Sequence, residues 1–319
     1  MYSVLIKISF LTYFISAFSL WGVAQNLVPN PSFEEYINCP FSLDIETYLY
    51  NWKSSRETPD YFNSCASWWG ASVPFNGFGY QMPNSGEGYI GLLTYRSDSA
   101  IYTEAIGVQL TEPLQIDVKY YVSFKTSLTL ENSTGSMAAN NKIGVQFTTN
   151  EYSSINQIPI NNFAHVYTNS IISDTLNWTT ISGSFISDST YSFINIGNFF
   201  EKQFIDSIIF NDAFGAYYYI DDICVSIDSS TCLQYANLNK NENKQNFSLT
   251  LKDDHIIVKN NTKNNFAISI SNLYGQKIFE KLNNNEYFNK FQLLETKNTF
   301  FFITIKSEGI NYNYKLINQ

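Results

Sequence analysis

The sequence predicts an all-β protein made of two β-sandwiches of unequal size. Tyr and Phe occur 23 and 26 times among 319 residues, and aromatic and β-branched residues favour strands. No long run of apolar residues with helical spacing follows the N-terminus. Short β-type runs instead alternate with Gly, Pro and Asn turns, which is the pattern of an antiparallel sandwich.

The N-terminus has the features of a secretory signal peptide over residues 1–24. Lys7 precedes an apolar stretch, Ile8–Leu20, and the small residues Gly22 and Ala24 precede Gln25. The apolar run is short for a bilayer span, which argues against a retained transmembrane anchor. No Cys follows the cleavage site to carry a lipid anchor. We therefore expect a mature chain exported from the cytoplasm.

The rest of the chain divides into a main module, a linker and a smaller C-terminal domain. The main module covers residues 25–228, the linker residues 229–245, and the C-terminal domain residues 246–319. The linker is predicted from its richness in Asn, Lys and Ser. Predicted strands of the main module are Tyr120–Thr126, Lys142–Thr148, Trp178–Ile186, Tyr191–Ile196 and Tyr217–Val225. Those of the C-terminal domain are Phe247–Lys252, His255–Val258, Phe266–Asn272, Lys277–Glu280, Phe300–Lys306 and Tyr312–Ile317.

Charge is distributed unevenly between the two parts. Residues 25–239 hold 7 Lys/Arg against 21 Asp/Glu, whereas residues 240–319 hold 11 against 7. An acidic main module without a basic stripe argues against nucleic acid or anionic lipid as a partner.

Four cysteines fit an exported protein. Cys39 and Cys65 flank one loop-rich segment, and Cys224 and Cys232 lie close together in another. Of the three possible connectivities, we predict the two local pairs, Cys39–Cys65 and Cys224–Cys232. No pair has C-x-x-C spacing, which weakens the redox and zinc interpretations.

The C-terminal domain resembles the type A sorting domain of the type IX secretion system of Bacteroidetes. The resemblance lies in the strand-turn-strand segment Ala267–Ile278 with its Tyr274-Gly275-Gln276 turn, in the strand Phe300–Ile305, and in Lys315-Leu316-Ile317 at the end. Where such domains usually place Gly and Tyr before the penultimate strand, this chain has Asn298-Thr299-Phe300. The resemblance implies the type IX secretion machinery as partner and a secreted or cell-surface location reached through the periplasm. The alternative is an ordinary small Ig-like domain.

The main module resembles a Bacteroidetes jelly-roll family akin to carbohydrate-binding modules with a galactose-binding-like fold. It opens with Asn26–Glu34 and closes with Tyr217–Val225; between them lie Thr58–Asn63, Gly79–Gly86 and Ile196–Phe199. The resemblance covers nearly the whole module. It implies a fold and a location, and it leaves the ligand open.

The opening and closing segments contain a candidate metal site. If the first and last strands pair, Glu34 comes near Asp221 and Asp222, where the hydrophobic alternation changes phase as at a β-bulge. Converging carboxylates repel one another, and Ca²⁺ with oxygen ligands would neutralise them. Carbohydrate-binding modules of this type commonly hold such a structural Ca²⁺. The alternative is that the two aspartates lie in water and that Glu34 is a surface residue.

Exposed aromatic side chains are the other candidate chemistry, because sugar rings stack on Trp and Tyr. Trp68 and Trp69, close to Cys65 and followed by Gly70, are the first candidates for a ligand-binding loop tip. Behind them come Trp52, Tyr80 and Tyr95. The competing interpretation is that these aromatic residues belong to the core of the sandwich.

No catalytic residues are predicted. His165 has no recognisable partner, His255 falls in the C-terminal domain, and no G-x-S-x-G, H-E-x-x-H or P-loop motif is present. Gly86–Gly91 matches G-x-G-x-x-G, but a strand follows it where a dinucleotide site needs a helix. The prediction is a non-enzymatic module that binds glycans or serves adhesion. The alternatives are a glycoside hydrolase with an unrecognised carboxylate pair and a structural envelope protein.

Overall fold

The computed structural model describes residues 25–98, 102–129, 138–210, 215–237, 247–252, 255–262, 264–272, 276–283, 288–292, 299–308 and 310–318. The predicted signal peptide and the residues Tyr274, Gly275 and Asn298 lie outside these ranges. Among the described residues, no helix is long and apolar enough to cross a membrane.

The main module contains fourteen strands among its described residues. They are β1 (Lys53–Arg56), β2 (Asp60–Asn63), β3 (Phe75–Asn76), β4 (Gly79–Tyr80), β5 (Gly88–Arg96), β6 (Ala105–Gln109), β7 (Lys119–Leu128), β8 (Ala138–Asn140), β9 (Ile143–Thr148), β10 (Val166–Tyr167), β11 (Thr179–Ile186), β12 (Phe193–Asn198), β13 (Ser207–Ile209) and β14 (Gly215–Ser226). The helical elements within this module and directly after it are α1 (Ile45–Tyr48), α2 (Ser229–Asn237) and two 3₁₀ turns, Trp69–Ala71 and Lys202–Phe204.

Two five-stranded antiparallel sheets form the sandwich. The front sheet has the order β11-β7-β14-β5-β2 and the back sheet the order β1-β6-β12-β9-β10. Apart from β9 and β10, neighbouring strands in these two sheets are not consecutive in the chain, as in a jelly roll. The predicted all-β jelly-roll sandwich is confirmed.

Successive side chains of each strand point to opposite sides, so the front sheet has an inner and an outer face. In β14, Ala216, Tyr218 and Ile220 point into the core between the sheets, whereas Tyr217 and Tyr219 belong to a separate cluster on the outer face. Both faces of β14 are buried along its whole length. The outer face is therefore covered by other parts of the chain.

The segment that opens the main module lies beside β14, which is the condition on which the predicted metal site depends. Leu27 N donates to Val225 O at 2.8 Å, and Ile223 N donates to Pro31 O at 2.9 Å. The Asn26 side chain bonds both Ile223 and Val225. The register of β14 shifts between Asp221 and Cys224, which confirms the predicted bulge.

The C-terminal domain is a second sandwich with its own core. Its strands are β15 (Phe247–Lys252), β16 (His255–Asn260), β17 (Phe266–Ser271), β18 (Lys277–Asn283), β19 (Phe288–Gln292), β20 (Thr299–Ser307) and β21 (Ile310–Asn318). They form the sheets β15-β16-β19 and β18-β17-β20-β21. Phe301, Ile303 and Ile305 point into this core. Phe302, on the opposite face, stacks on Tyr80 of the main module at 3.9 Å.

Two features of the chain differ from the sequence-based expectation. A helix, α2, occupies the first half of the segment 229–245 that composition predicts to be a linker, and the hydroxyl of Ser123 donates to Cys232 O within it at 3.2 Å. Several strands, among them β6, β8, β13 and β19, were not among those predicted. Both local disulfides, Cys39–Cys65 and Cys224–Cys232, are confirmed. The second fixes α2 to β14, which is why this Ser-rich segment is ordered against the sheet.

Candidate functional site

Residues 64–72, which we call the Trp loop, follow β2 and project from the edge of the front sheet. The loop is fixed at its base by the Cys39–Cys65 disulfide and by Asn63, whose side chain accepts a hydrogen bond from Cys65 N at 2.9 Å. Ser67 N donates to Pro40 O at 3.3 Å across the loop. The 3₁₀ turn Trp69–Ala71 lies within the loop, where Ala71 N donates to Trp68 O at 3.1 Å.

Trp68 and Trp69 are both accessible to a ligand. Trp69 is 68% exposed and Trp68 36%, and their ring centroids are 6.3 Å apart. The Trp68 ring packs against Gly70, where a Cβ would lie 2.3 Å from the indole. Gly70 is thus required for the Trp68 orientation. Together the two indoles form a pre-ordered aromatic surface, the Trp platform.

A third exposed aromatic side chain lies nearby and was not singled out from the sequence. Phe41 is 70% exposed and follows Pro40, whose carbonyl accepts the hydrogen bond from the Trp loop. Its sequence context, directly after Cys39-Pro40, was a usable signal.

The other aromatic candidates are buried and do not form an exposed platform. Trp52, Tyr80 and Tyr95 are 1%, 5% and 4% exposed. Trp52 packs on Phe33 and donates its indole N–H to Asn30 O at 2.9 Å. These expectations were wrong. Trp52 and Tyr95 belong to the core of the sandwich, and Tyr80 packs on Phe302 of the C-terminal domain.

The outer face of the front sheet carries a second, buried group of mostly aromatic residues, which we call the front-face cluster. It consists of Phe62, Val73, Tyr89, Leu93, Tyr217 and Tyr219. The segment with β3 and β4 covers it: Phe78 stacks on Tyr217 at 4.1 Å, and Asn76 bonds the hydroxyls of Tyr89 and Tyr219. This face is filled by the chain's own residues.

Two carboxyl groups lie buried at the edge of the front-face cluster. Asp60 accepts a hydrogen bond from the Tyr217 hydroxyl, and Glu104 accepts one from Leu93 N at 2.6 Å. Burial raises the pKa of Asp60 to about 7, and the bond from Tyr217 opposes this. Burial and then the charge of Asp60 raise the pKa of Glu104 well above its usual range. Both side chains are more than nine-tenths buried, so this pair is not placed to act on a glycoside.

The predicted metal ligands lie at the loop that precedes β5. Asp221 accepts hydrogen bonds from Asn84 N at 2.8 Å and Ser85 N at 3.2 Å, and Asp222 accepts from the side chains of both. Glu34 accepts from Glu87 N at 2.9 Å and Gly88 N at 3.0 Å. The three carboxylates thus bind one loop, residues 84–88, by hydrogen bonds.

Electrostatics link these carboxylates to one another. Burial, followed by the charge of Asp222, raises the pKa of Asp221 well above its usual range. Burial also raises the pKa of Glu34, and the charges of Glu87 and Asp222 add to the effect. Burial likewise raises the pKa of Asp222, opposed by its hydrogen bonds and by the charge of Lys125.

This arrangement does not present converging free oxygens of the kind that Ca²⁺ requires. In the described part of the chain, no group of three or more acidic, His or Cys side chains is placed to hold a metal ion. Asn84 and Ser85 already donate to the oxygens that would be ligands. A Ca²⁺ site at Glu34, Asp221 and Asp222 stays a prediction, and binding there would require these donors to move.

No protein-family model and no curated protein matches the chain. It is similar to the CBM22-1 and GH10 modules of xylanase 10B from Clostridium thermocellum, with 13% identity and a TM-score of 0.31 over 62% of this chain and 29% of that one. A CBM4 structure matches with 11% identity and a TM-score of 0.29, covering 62% of this chain and 98% of that one. The K3 adhesin domain of Lys-gingipain from Porphyromonas gingivalis matches with 10% identity and a TM-score of 0.27, covering 58% and 98%. Similarity at this level concerns the fold alone.

Proposed function

We propose that the protein is a non-enzymatic binding module that acts outside the cell and binds glycans through the Trp platform. The observation that carries the proposal is the exposure of Trp69, at 68%, on a loop held by a disulfide. Large aromatic side chains are normally buried when they serve only the fold. An exposed, ordered indole offers a flat apolar face on which the C–H face of a sugar ring stacks.

The order of the Trp loop supports binding. A ligand-binding loop that is already ordered loses little conformational entropy when the ligand arrives. The Cys39–Cys65 bridge, the Asn63 hydrogen bonds and the packing of Trp68 on Gly70 supply this order. The hydroxyl of Ser67 can then bond a sugar hydroxyl, and that of Ser64, which donates to Glu87 at 3.0 Å, can still accept one.

A glycan array probed with the mature chain, Gln25–Gln319, tests the proposal. We expect the wild-type chain to retain a defined set of glycans and the Trp68→Ala/Trp69→Ala double variant to lose them. Phe163→Ala is the matched control, since Phe163 is an aromatic residue of 49% exposure elsewhere on the module. An array on which the wild type and the double variant bind alike would contradict the proposal, and the structural envelope role would then be favoured.

We also propose that the C-terminal domain directs export to the cell surface through the type IX secretion machinery. Two β-sheets around a separate core support an independent role for this domain. A chain that ends near Lys240 should accumulate in the periplasm, whereas the full chain reaches the surface. Cell fractionation measures the difference, and a truncated chain found at the surface would contradict the sorting role.

A further inference from the structure

A cleft of about 920 Å³ opens at the rim of the main module, away from the residues that form the Trp platform. It lies where β5 and β12 end, and we call it the rim cleft. Its volume falls in the range of about 300–1,000 Å³ found for small-molecule sites. Its lining residues are Arg56, Tyr95, Arg96, Thr103, Gln157–Ile160, Phe200–Gln203 and Ile205.

One wall of the rim cleft is apolar. Ile158, Pro159 and Ile160 line it from one segment, and Phe200 and Ile205 from another. Ile158 and Phe200 are buried, whereas Pro159 is exposed at the mouth. A wall of this kind suits the C–H face of a sugar ring.

Arg56 gives the cleft a buried cation that only neutral groups bond. Its guanidinium donates to Thr103 O at 2.8 Å, Asn198 O at 2.6 Å and Ile158 O at 3.3 Å. Three of its five N–H donors are thereby used. In the described part of the chain no carboxylate forms an ion pair with it, although the charges of Glu57 and Glu104 act on it.

The charge of Arg56 persists at neutral pH. Burial lowers the pKa of Arg56 to about 10, opposed by the charges of Glu57 and Glu104. A buried cation is stabilised strongly by an anion that pairs with it, and a guanidinium matches the geometry of a carboxylate. The site is thus suited to a carboxylate that enters from the cleft.

Thr103 adds an unpartnered polar group beside Arg56. Thr103 is 8% exposed and lines the cleft, and its buried hydroxyl has no hydrogen-bond partner among the residues that the structure describes. Buried polar groups are nearly always hydrogen-bonded, so an exception requires a reason. A ligand oxygen that accepts from this hydroxyl would supply one.

The distribution of basic residues points the same way. Only 7 Lys/Arg residues occur in residues 25–239, and Arg56, Arg96 and Lys202 line this one cleft. Arg96 is paired with Asp98, and Lys202 donates to Ser97 O at 2.5 Å. Glu201 also lines the cleft, so the cationic character of its interior comes mainly from Arg56.

We propose that the rim cleft binds a carboxylated sugar residue, with its carboxylate against Arg56 and Thr103 and its ring against the apolar wall. The inference rests on the proposed glycan-binding function and adds to it a second site and a class of ligand. Uronates and sialates share the chemistry, and the test separates them.

Isothermal titration of the mature chain with four probes tests this inference. The carboxylated probes are trigalacturonate and sialyllactose, and their neutral counterparts are galactotriose and lactose. We expect at least one carboxylated probe to bind about tenfold more tightly than its neutral counterpart. The probe that binds identifies the source of the carboxylate. Equal affinity for both members of each pair would overturn the inference.

Variants assign the binding to the cleft. Thr103→Val and Arg56→Gln should both weaken binding of the carboxylated probe, and for Arg56→Gln the affinity should fall about tenfold or more. Thr126→Val is the matched control, because the buried hydroxyl of Thr126 likewise has no partner within the described part of the chain but lies in the core. If Arg56→Gln does not fold, as judged by circular dichroism, Thr103→Val and the cleft-filling Ile160→Trp decide the question.

The pattern across variants separates this inference from the proposed function. If Trp69→Ala no longer binds the carboxylated probe while Thr103→Val and Ile160→Trp still do, the rim cleft is not its binding site. The proposed role of the Trp platform would then stand. Loss in the cleft variants, with Trp69→Ala unaffected for that probe, would support the rim cleft.

Discussion

The front-face cluster and the Trp loop are both rich in aromatic residues, yet the structure uses them in opposite ways. In the cluster, Tyr89 and Tyr219 are 0% exposed and their hydroxyls bond Asn76. In the loop, Trp69 is 68% exposed and is held by a disulfide and by backbone hydrogen bonds. Aromatic content alone therefore does not identify a binding surface. What distinguishes the two regions is whether the chain covers the rings itself.

The largest expected effect is a difference in the free energy of unfolding between variants that lose one ring from each region. Tyr89→Ala should lower the free energy of unfolding by about 3–5 kcal/mol, because it leaves a cavity in a buried cluster. Trp69→Ala should change it by no more than about 0.5 kcal/mol, because its ring is largely in water. Chemical denaturation of both variants measures the difference. Similar losses in the two variants would show that the Trp loop serves the fold.

Opening the Cys39–Cys65 bridge tests what orders the Trp loop. The Cys39→Ala/Cys65→Ala double variant should lose about 2–4 kcal/mol of stability and should bind its glycan more weakly. Cys224→Ala/Cys232→Ala is the matched control: it should lose stability and keep the glycan affinity of the folded chain. Unchanged affinity in the first double variant would show that the loop is ordered without its disulfide.

Chelation tests the predicted Ca²⁺ site at Glu34, Asp221 and Asp222. Metal bound only to the native state would add about 2.7 kcal/mol at a hundredfold excess over Kd. A chelator should then lower the Tm of the mature chain, and Asp221→Ala should remove this sensitivity. A Tm that does not respond to the chelator would contradict the site. The hydrogen bonds from Asn84, Ser85, Glu87 and Gly88 would then account for the order of this loop.

The buried carboxyl of Asp60 gives a smaller, pH-dependent effect. Its pKa is raised to about 7 by burial, above an unfolded value of about 3.9. The protonated Asp60 therefore contributes its full share to the free energy of unfolding below a pH of about 4. This contribution is lost as the pH rises through about 7. Asp60→Asn, which can still accept from Tyr217, should raise the Tm at pH 8 and leave it nearly unchanged at pH 4.

Thermal unfolding at several pH values measures this effect. Asp228→Asn is the control, since Asp228 is exposed, and it should not flatten the pH dependence in this range. Parallel curves for the wild type and Asp60→Asn would show that Asp60 is ionised in the folded protein at neutral pH.

Local pattern predicted most of the fold, and spatial relations account for what it missed. Alternation along Tyr217–Val225 and the phase change at Asp221-Asp222 were enough to predict a strand with a bulge; its central place in the front sheet was not predicted. The helix α2 was missed because its order depends on the Cys224–Cys232 bridge and on packing against β7, not on its composition.

The candidate site was predictable only in part for the same reason. Trp68 and Trp69 were found because two adjacent indoles beside Gly70 are unusual in a loop. Asp60 and Glu104 come together across 44 positions of sequence, and the rim cleft combines Arg56 and Thr103 with residues about a hundred positions away. No local signal marks either group.

The most direct test of the account is the affinity of the mature chain for a glycan selected on the array, measured by isothermal titration for the wild type, Trp69→Phe, Trp69→Ala and Phe163→Ala. If the Trp platform stacks on a sugar ring, Trp69→Ala should weaken binding by about tenfold or more, equivalent to about 1.4 kcal/mol. Trp69→Phe should retain part of the affinity, and Phe163→Ala all of it. Equal affinities for the wild type and Trp69→Ala would contradict the central claim.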